Sequence, residues 1–159
     1  MEVEKMTTLL NVDVNHSEKI LHELSSLKTT FFKINPLLDN KALIQSKIHK
    51  MNLKIFRLIE QDKDVGLFLF RISNHNKSSA YIDAIFNQSE VAHCEDFLID
   101  FIRIISSIYN IKSFIKLSEI NDNRIFVFEK IGFKEAAVLR ENLFYDGYYQ
   151  DQALYFLQL

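Results

Sequence analysis

Glycine is scarce in this chain: only Gly66, Gly132 and Gly147 occur in 159 residues. Tryptophan is absent, and cysteine and proline occur once each. Each shortage excludes something. A lone cysteine, Cys94, rules out an internal disulfide. No stretch rich in Gly, Pro or Ser, no low-complexity tract and no internal repeat divides the chain, so residues 1–159 are expected to form one domain. No apolar run approaches the roughly 18 to 20 residues needed to span a bilayer. The N-terminus, MEVEKMTTLL, lacks the basic-then-apolar order of a signal peptide. With 19 basic and 21 acidic residues, the net charge of −2 provides no long-range field to gather nucleic acid or an anionic membrane. A cytoplasmic protein with neither of those partners is expected.

What is present is aromatic and aliphatic. Fourteen Phe and six Tyr within 48% hydrophobic residues predict a core of phenyl rings and branched aliphatics, each ring removing a large apolar area from water. Asn15 and Glu18 have the spacing of a capping box, opening a helix with Ile20, Leu21, Leu24 and Leu27 at helical intervals. A second helix is predicted from about Asp39 to Met51, with Leu43, Ile44 and Ile48 on one face. The period then changes. LKIFRLIE and VGLFLFRIS flank the polar four-residue turn QDKD and predict an antiparallel hairpin. SSAYIDAIF is a further strand. From Glu90 to about Tyr109, Phe97, Leu98, Phe101, Ile102, Ile105 and Ile108 form a core-facing helical stripe.

SFIKLSEI is another strand, residues 122–131 form a short helix, and the tail is a hairpin turned at Asp146-Gly147. The strand–helix–strand segment over residues 79–119 is right-handed by strong default, which makes its two strands parallel neighbours. The order predicts an α+β fold: a mixed, mostly antiparallel sheet with a central parallel strand pair, flanked by helices.

NDNRIFVFEKIGF, residues 121–133, is by itself an amphipathic helix. Phe126, Phe128 and Ile131 serve as core, Gly132 supplies a left-handed stop, and Phe133 restarts burial. Set in the strand order, the stretch resembles the late helix of the GNAT superfamily of acyl-CoA-dependent N-acetyltransferases. The likeness is to the branch of ribosomal-protein alanine and spermidine acetyltransferases, where the helix reads N-x-x-x-x-x-x-Y-E-K-x-G-F. Asn121, Glu129, Lys130, Gly132 and Phe133 fall in register with it. In LRENLFYDGYYQD, residues Leu139, Arg140, Glu141, Asp146, Gly147, Tyr149 and Asp151 resemble the LRE, DG and D elements of the last hairpin. The resemblance covers residues 52–159 well and the first 50 loosely.

The resemblance implies acetyl-CoA as co-substrate, no metal, and a primary amine as acceptor, either a small molecule or a protein N-terminus, with room for a homodimer. Acetyl-CoA would lie where the parallel strands part, its pyrophosphate on backbone N–H groups at the start of the long helix, where unpaired donors and dipole favour anions. Val91, Ala92, His93 and Cys94 stand at that helix start, with Asn121, Phe128 and Arg124 completing the cofactor-binding set. Glu119 and Asp83 are the candidate bases, their plain alternatives being a solvated strand end and a surface position. The family's usual acid is a tyrosine at the position of Phe128, so Tyr145, with Tyr148 and Tyr149 of the same hairpin, is the candidate to replace it, the plain alternative being packing.

Two departures stand out. Phe128 has no hydroxyl to protonate a departing thiolate. The phosphate loop, which in the family reads Q/R-x-x-G-x-G/A, corresponds to the glycine-free FNQSEVAHCEDF, with Ala92 and Cys94 in the glycine positions. Glu90, Glu95 and Asp96 bring negative charge there, which opposes a diphosphate but complements a helix dipole. A metal at His93-Cys94-Glu95-Asp96 is disfavoured because adjacent helical residues diverge by about 100°. Cys94 near a helix start is expected to have a lowered pKa. These departures leave two alternatives to ordinary catalysis: a catalytically degenerate GNAT-fold binding or assembly protein, or an acyltransferase with a non-CoA acyl donor.

Overall fold

The computed structural model describes residues 7–11, 41–86, 94–145 and 147–159. The elements are β1 (Thr7–Asn11), α1 (Lys41–Met51), β2 (Lys54–Glu60), β3 (Lys63–Ile72), β4 (Ser79–Phe86), α2 (Cys94–Tyr109), β5 (Ser113–Glu119), α3 (Ile125–Lys130), β6 (Lys134–Tyr145) and β7 (Tyr148–Gln158). The helix predicted from Asn15, the predicted start at Asp39 and the loop at 87–93 lie outside the described residues.

All seven strands join one sheet in the order β1-β2-β3-β4-β5-β7-β6. Every neighbouring pair is antiparallel except β4 and β5. That is the predicted α+β architecture with its central parallel pair. β1 is an addition to it, because TTLLN is too short to display a two-residue period.

The sheet buries both faces. On one, α2 sets Phe97, Leu98, Phe101, Ile102 and Ile105 against Phe68, Phe70, Ala80, Ile82, Ala84 and Phe114. The rings of Phe68 and Phe101 stack at 4.3 Å. On the other, α1 sets Ile44 and Ile48 against Ile55, Leu67 and Leu69. Three residues predicted to face the core do not: Leu43, Ile108 and Phe126 are exposed. Each lies at the margin of its helix's apolar face, and in α3 Val127 is buried beside Phe128 instead.

The chain meets its shortage of glycine with other residues. Asn52 (φ 49°) ends α1 and Asn110 (φ 54°) ends α2 in the left-handed conformation. Beyond them, Leu53 N–H donates to Ile48 O and Ile111 N–H to Ser106 O, the long bond of a Schellman motif. Gln61 and Asp62 (φ 49° and 63°) close the β2–β3 hairpin, with Glu60 paired to Lys63. The turn is therefore two residues of the I′ kind and not the four of QDKD, since Lys63 and Asp64 belong to β3.

Among the described helices, only α3 ends on glycine. Gly132 has φ 106°, Phe133 N–H donates to Phe128 O at 3.0 Å, and Gly132 N–H to Glu129 O at 3.0 Å. The apolar contact that accompanies this motif is made by Phe128 and Phe133, whose rings meet edge to face at 5.3 Å.

Candidate active site at the parting of two strands

β4 and β5 pair at three positions: Ser79 with Ser113, Ala80 with Phe114, and Tyr81 with Ile115. A hydrogen bond of 2.7 Å between the Ser79 and Ser113 hydroxyls closes the start of the pair. From residue 82 on β4 and 116 on β5 the ladder stops. β4 then pairs with β3 alone, and β5 with β7 alone.

Two ionised side chains fill the start of this parting. By the two-residue period of a strand, Asp83 shares the α1 face with Tyr81 and Ile85, while Lys116 shares the α2 face with Phe114. They meet through the gap, with Lys116 Nζ donating to Asp83 Oδ1 at 2.8 Å and both side chains 0% exposed. Ala84 N–H also donates to Asp83 Oδ1 at 2.9 Å, whereas Asp83 Oδ2 is buried without a hydrogen-bond partner. The Lys116 ammonium lies 5.4 Å from the centre of the Phe128 ring, within cation–π range.

The loop before α3 supplies a second cation. Asp122 accepts the Arg124 backbone N–H at 3.0 Å, forming an Asx turn, and the Arg124 guanidinium at 3.0 Å from Nε and 2.7 Å from Nη2. Ser118 Oγ donates to Asp122 at 3.3 Å. Arg124 Nη1 reaches within 3.7 Å of Asp83 Oδ1, so the buried carboxylate lies between two cations. Burial pushes the Asp122 carboxyl up, but the hydrogen bonds and charge of Arg124, with the charge of Lys116, outweigh it and hold the carboxyl below its ordinary value. For Arg124, burial is likewise outweighed by Asp122 and Asp83, and its pKa is raised.

Two cavities flank this loop. One, of about 360 Å³, has walls from Ala84, Phe86, Cys94, Val127 and Phe128. The other, of about 420 Å³, is bounded by Ile85, Glu119, Asn121 and Asp122. Asn123 and Arg124 line both. A wider depression of about 890 Å³ continues from Glu119 and Asn121 along Arg140, Glu141, Tyr149 and Asp151 of the last hairpin.

The structure brings most of the predicted site residues to this region. Phe128 and Cys94 are buried on the wall of the first cavity, Glu119 and Asn121 border the second, and Arg124 touches both. Asp83 is not the surface position its sequence alternative allows; it is sealed in the sheet. Cys94 reverses the expectation of a lowered pKa: burial, and then the charge of Glu95, push its thiol up. Glu95 pairs with Lys130 at 2.5 Å, tying the first turn of α2 to the end of α3. Glu90, Val91, Ala92 and His93 lie outside the described residues, as does the side chain of Tyr145 at the end of β6. Lys116 was missed in the sequence, although the alternation Phe114-Lys116-Ser118 already sets it on an inward row.

No protein-family model and no curated protein matches the chain. Solved structures do. The spermidine N-acetyltransferase of Vibrio cholerae in complex with CoA and spermine is similar with a TM-score of 0.70 at 19% identity, over 96% of this chain and 95% of that one. A dodecameric structure of the Vibrio cholerae enzyme in an intermediate state gives 0.70 at 19%, over 96% and 93%. A chain from Acinetobacter baylyi ADP1 classed as an acetyltransferase gives 0.71 at 14%, over 98% and 94%. At such identities the fold is what is shared, and the chain has the fold of these acetyltransferase structures.

Proposed function

We propose that residues 1–159 form a single acyltransferase domain that transfers the acetyl group of acetyl-CoA to a primary amine by direct attack. The observation that carries this is the parting of β4 and β5 beyond Tyr81 and Ile115, with a cavity on each side of the loop holding Arg124. The apolar walls beside Cys94 and Phe128 suit the pantetheine arm and its thioester. The polar rim of Glu119 and Asn121 suits an amine. That a chain of the same fold was solved with CoA and spermine supports a reading in which a CoA thioester and an amine are the two substrates.

In this mechanism Glu119 is the base that an entering amine meets. The nitrogen, once deprotonated, attacks the thioester carbonyl carbon. Collapse of the tetrahedral intermediate breaks the C–S bond and leaves its electron pair on sulfur. Phe128 has no proton to give. Arg124, lining both cavities, instead sets a fixed positive charge where the thiolate develops, with the Lys116 ammonium behind it. Asp83 acts as a positioning residue that holds both cations. Backbone N–H groups around Val91 to Cys94 would receive the pyrophosphate, and Tyr145 is the further candidate for protonating sulfur.

Titration of acetyl-CoA and desulfo-CoA by calorimetry and thermal melting tests the proposal. A Kd below about 100 μM would raise the melting point at millimolar ligand by mass action. No heat and no shift would sink CoA-dependent catalysis. The packing of Phe128 against Phe133, with no hydroxyl, favours as second reading a GNAT fold kept for binding or assembly, or one served by a different acyl donor.

A further inference from the structure

A smaller cavity, of about 130 Å³, opens between α1 and the sheet, away from the Arg124 loop. Lys47 of α1 and Arg71 of β3 face it, and Met51, Tyr81, Ile82, Ile115 and Leu117 complete its wall, so the lining holds two cations and no acid. The Arg71 guanidinium sits 4.1 Å from the centre of the Tyr81 ring, and its Nε is buried without a hydrogen-bond partner. Among the described residues no carboxylate pairs with either cation. Burial, and then the charge of Arg71, push Lys47 down to about 8.

Like charges sharing a half-buried wall repel each other and lose hydration. An oxyanion reverses both effects: it gains two charges and meets the idle Nε–H, which with one Nη forms the side-on edge that grips a carboxylate in two parallel hydrogen bonds. The volume admits about four waters at roughly 30 Å³ each. That is room for one carboxylate or one phosphate group, and too little for a nucleotide. The position is also informative. Tyr81 and Ile115 are the last paired residues before the strands part, and Asp83 is the next β4 residue on the same face, about 7 Å further along.

We infer that this cavity binds the carboxylate of the acceptor, making the acceptor class an amino acid whose reacting amine is carried on a side chain long enough to pass from Leu117 to Glu119, about 7 Å along β5. The acceptor half of this inference rests on the acyltransferase function; the anion site does not.

The test follows Lys47 by NMR in the full chain while acetate, glycine or inorganic phosphate is added, with chloride at matched ionic strength as control. Acetate and glycine are expected to raise its pKa by about one unit, as an opposite charge at close range does, and chloride to leave it in place. Arg71→Gln is expected to weaken acetate binding at least tenfold. Lys47→Met, followed by calorimetry, does the same and keeps the test alive if Arg71→Gln fails to fold. An unmoved Lys47 overturns the site, and a response to phosphate alone overturns the carboxylate assignment. With acetyl-CoA present, an amino acid is expected to have a KM at least tenfold below that of its amide. Equal KM values overturn the acceptor class. A carboxylate response without CoA binding leaves the anion site standing and removes the acyltransferase function.

Discussion

Lys116 Nζ and Asp83 Oδ1 lie 2.8 Å apart across the parting of β4 and β5, and neither side chain touches solvent. Taking out Asp83 leaves Lys116 buried without its ion partner, and taking out Lys116 leaves Asp83 only the Arg124 guanidinium, at 3.7 Å. Lys116→Met and Asp83→Asn are each expected to cost about 3 to 5 kcal/mol. The double variant Asp83→Asn/Lys116→Met is expected to cost less than the sum of its single changes. Urea unfolding of the four proteins measures the coupling, and strict additivity would show that the pair is energetically independent.

Phe128→Tyr restores the hydroxyl that the family resemblance places at this position. If acetyl-CoA binds, turnover is expected to rise, at or below the roughly 10²-fold lower end of general acid catalysis, because Arg124 and Lys116 already set positive charge nearby. Steady-state kcat for the two proteins checks it. An unchanged value would mean that another group already supplies the proton or that sulfur leaves without one.

Gly66 pairs with Phe86, and a Cβ at Gly66 would drive into the backbone carbonyl of Ile85. A backbone atom cannot rotate away as a side chain can, so β3 and β4 would have to separate. Gly66→Ala is therefore expected to cost about 1 to 3 kcal/mol, the usual range for overpacking. A melting temperature equal to that of the parent would contradict this.

Two titrations give opposite tests of charge burial. Asp122 has a folded-state pKa below its ordinary value, so the unfolded chain binds more protons in acid. Its contribution is complete above about pH 4 and lost as pH falls through the folded pKa. Lys47, lowered from 10.5 to about 8, makes the unfolded chain bind more protons between those values. Stability is thus expected to rise as pH climbs from about 8 to about 10.5. Melting curves across both windows should show each trend flattened in Asp122→Asn and Lys47→Met respectively.

Much of the architecture was legible because it is periodic. The α2 stripe from Phe97 to Ile105 repeats every three or four residues and packs where that repeat points. The β2–β3 hairpin was legible too, but not its turn: Gln61 and Asp62 adopt positive φ without the Asn-Gly or Asp-Gly that signals it. The site was harder to read. Glu119, Asn121, Phe128 and Arg124 came from resemblance and do gather around the flanking cavities. The alternation in SFIKLSE sets Lys116 on an inward row, but nothing local records that a carboxylate 33 residues earlier receives it. Lys47 and Arg71 were equally hidden, since their proximity depends on how α1 lies on the sheet.

The short seam between β4 and β5 has a mechanical consequence. Four strands, β1 to β4, form one leaf, and β5, β7 and β6 form another, joined in the sheet by three residue pairs and the Ser79–Ser113 bond. Any swing of the leaves about that hem would keep the other strand pairings but disturb the core that α2 packs across both. The fastening at the open end is the Asp83 carboxylate, a clasp held from the other leaf by Lys116 and, at 3.7 Å, by Arg124.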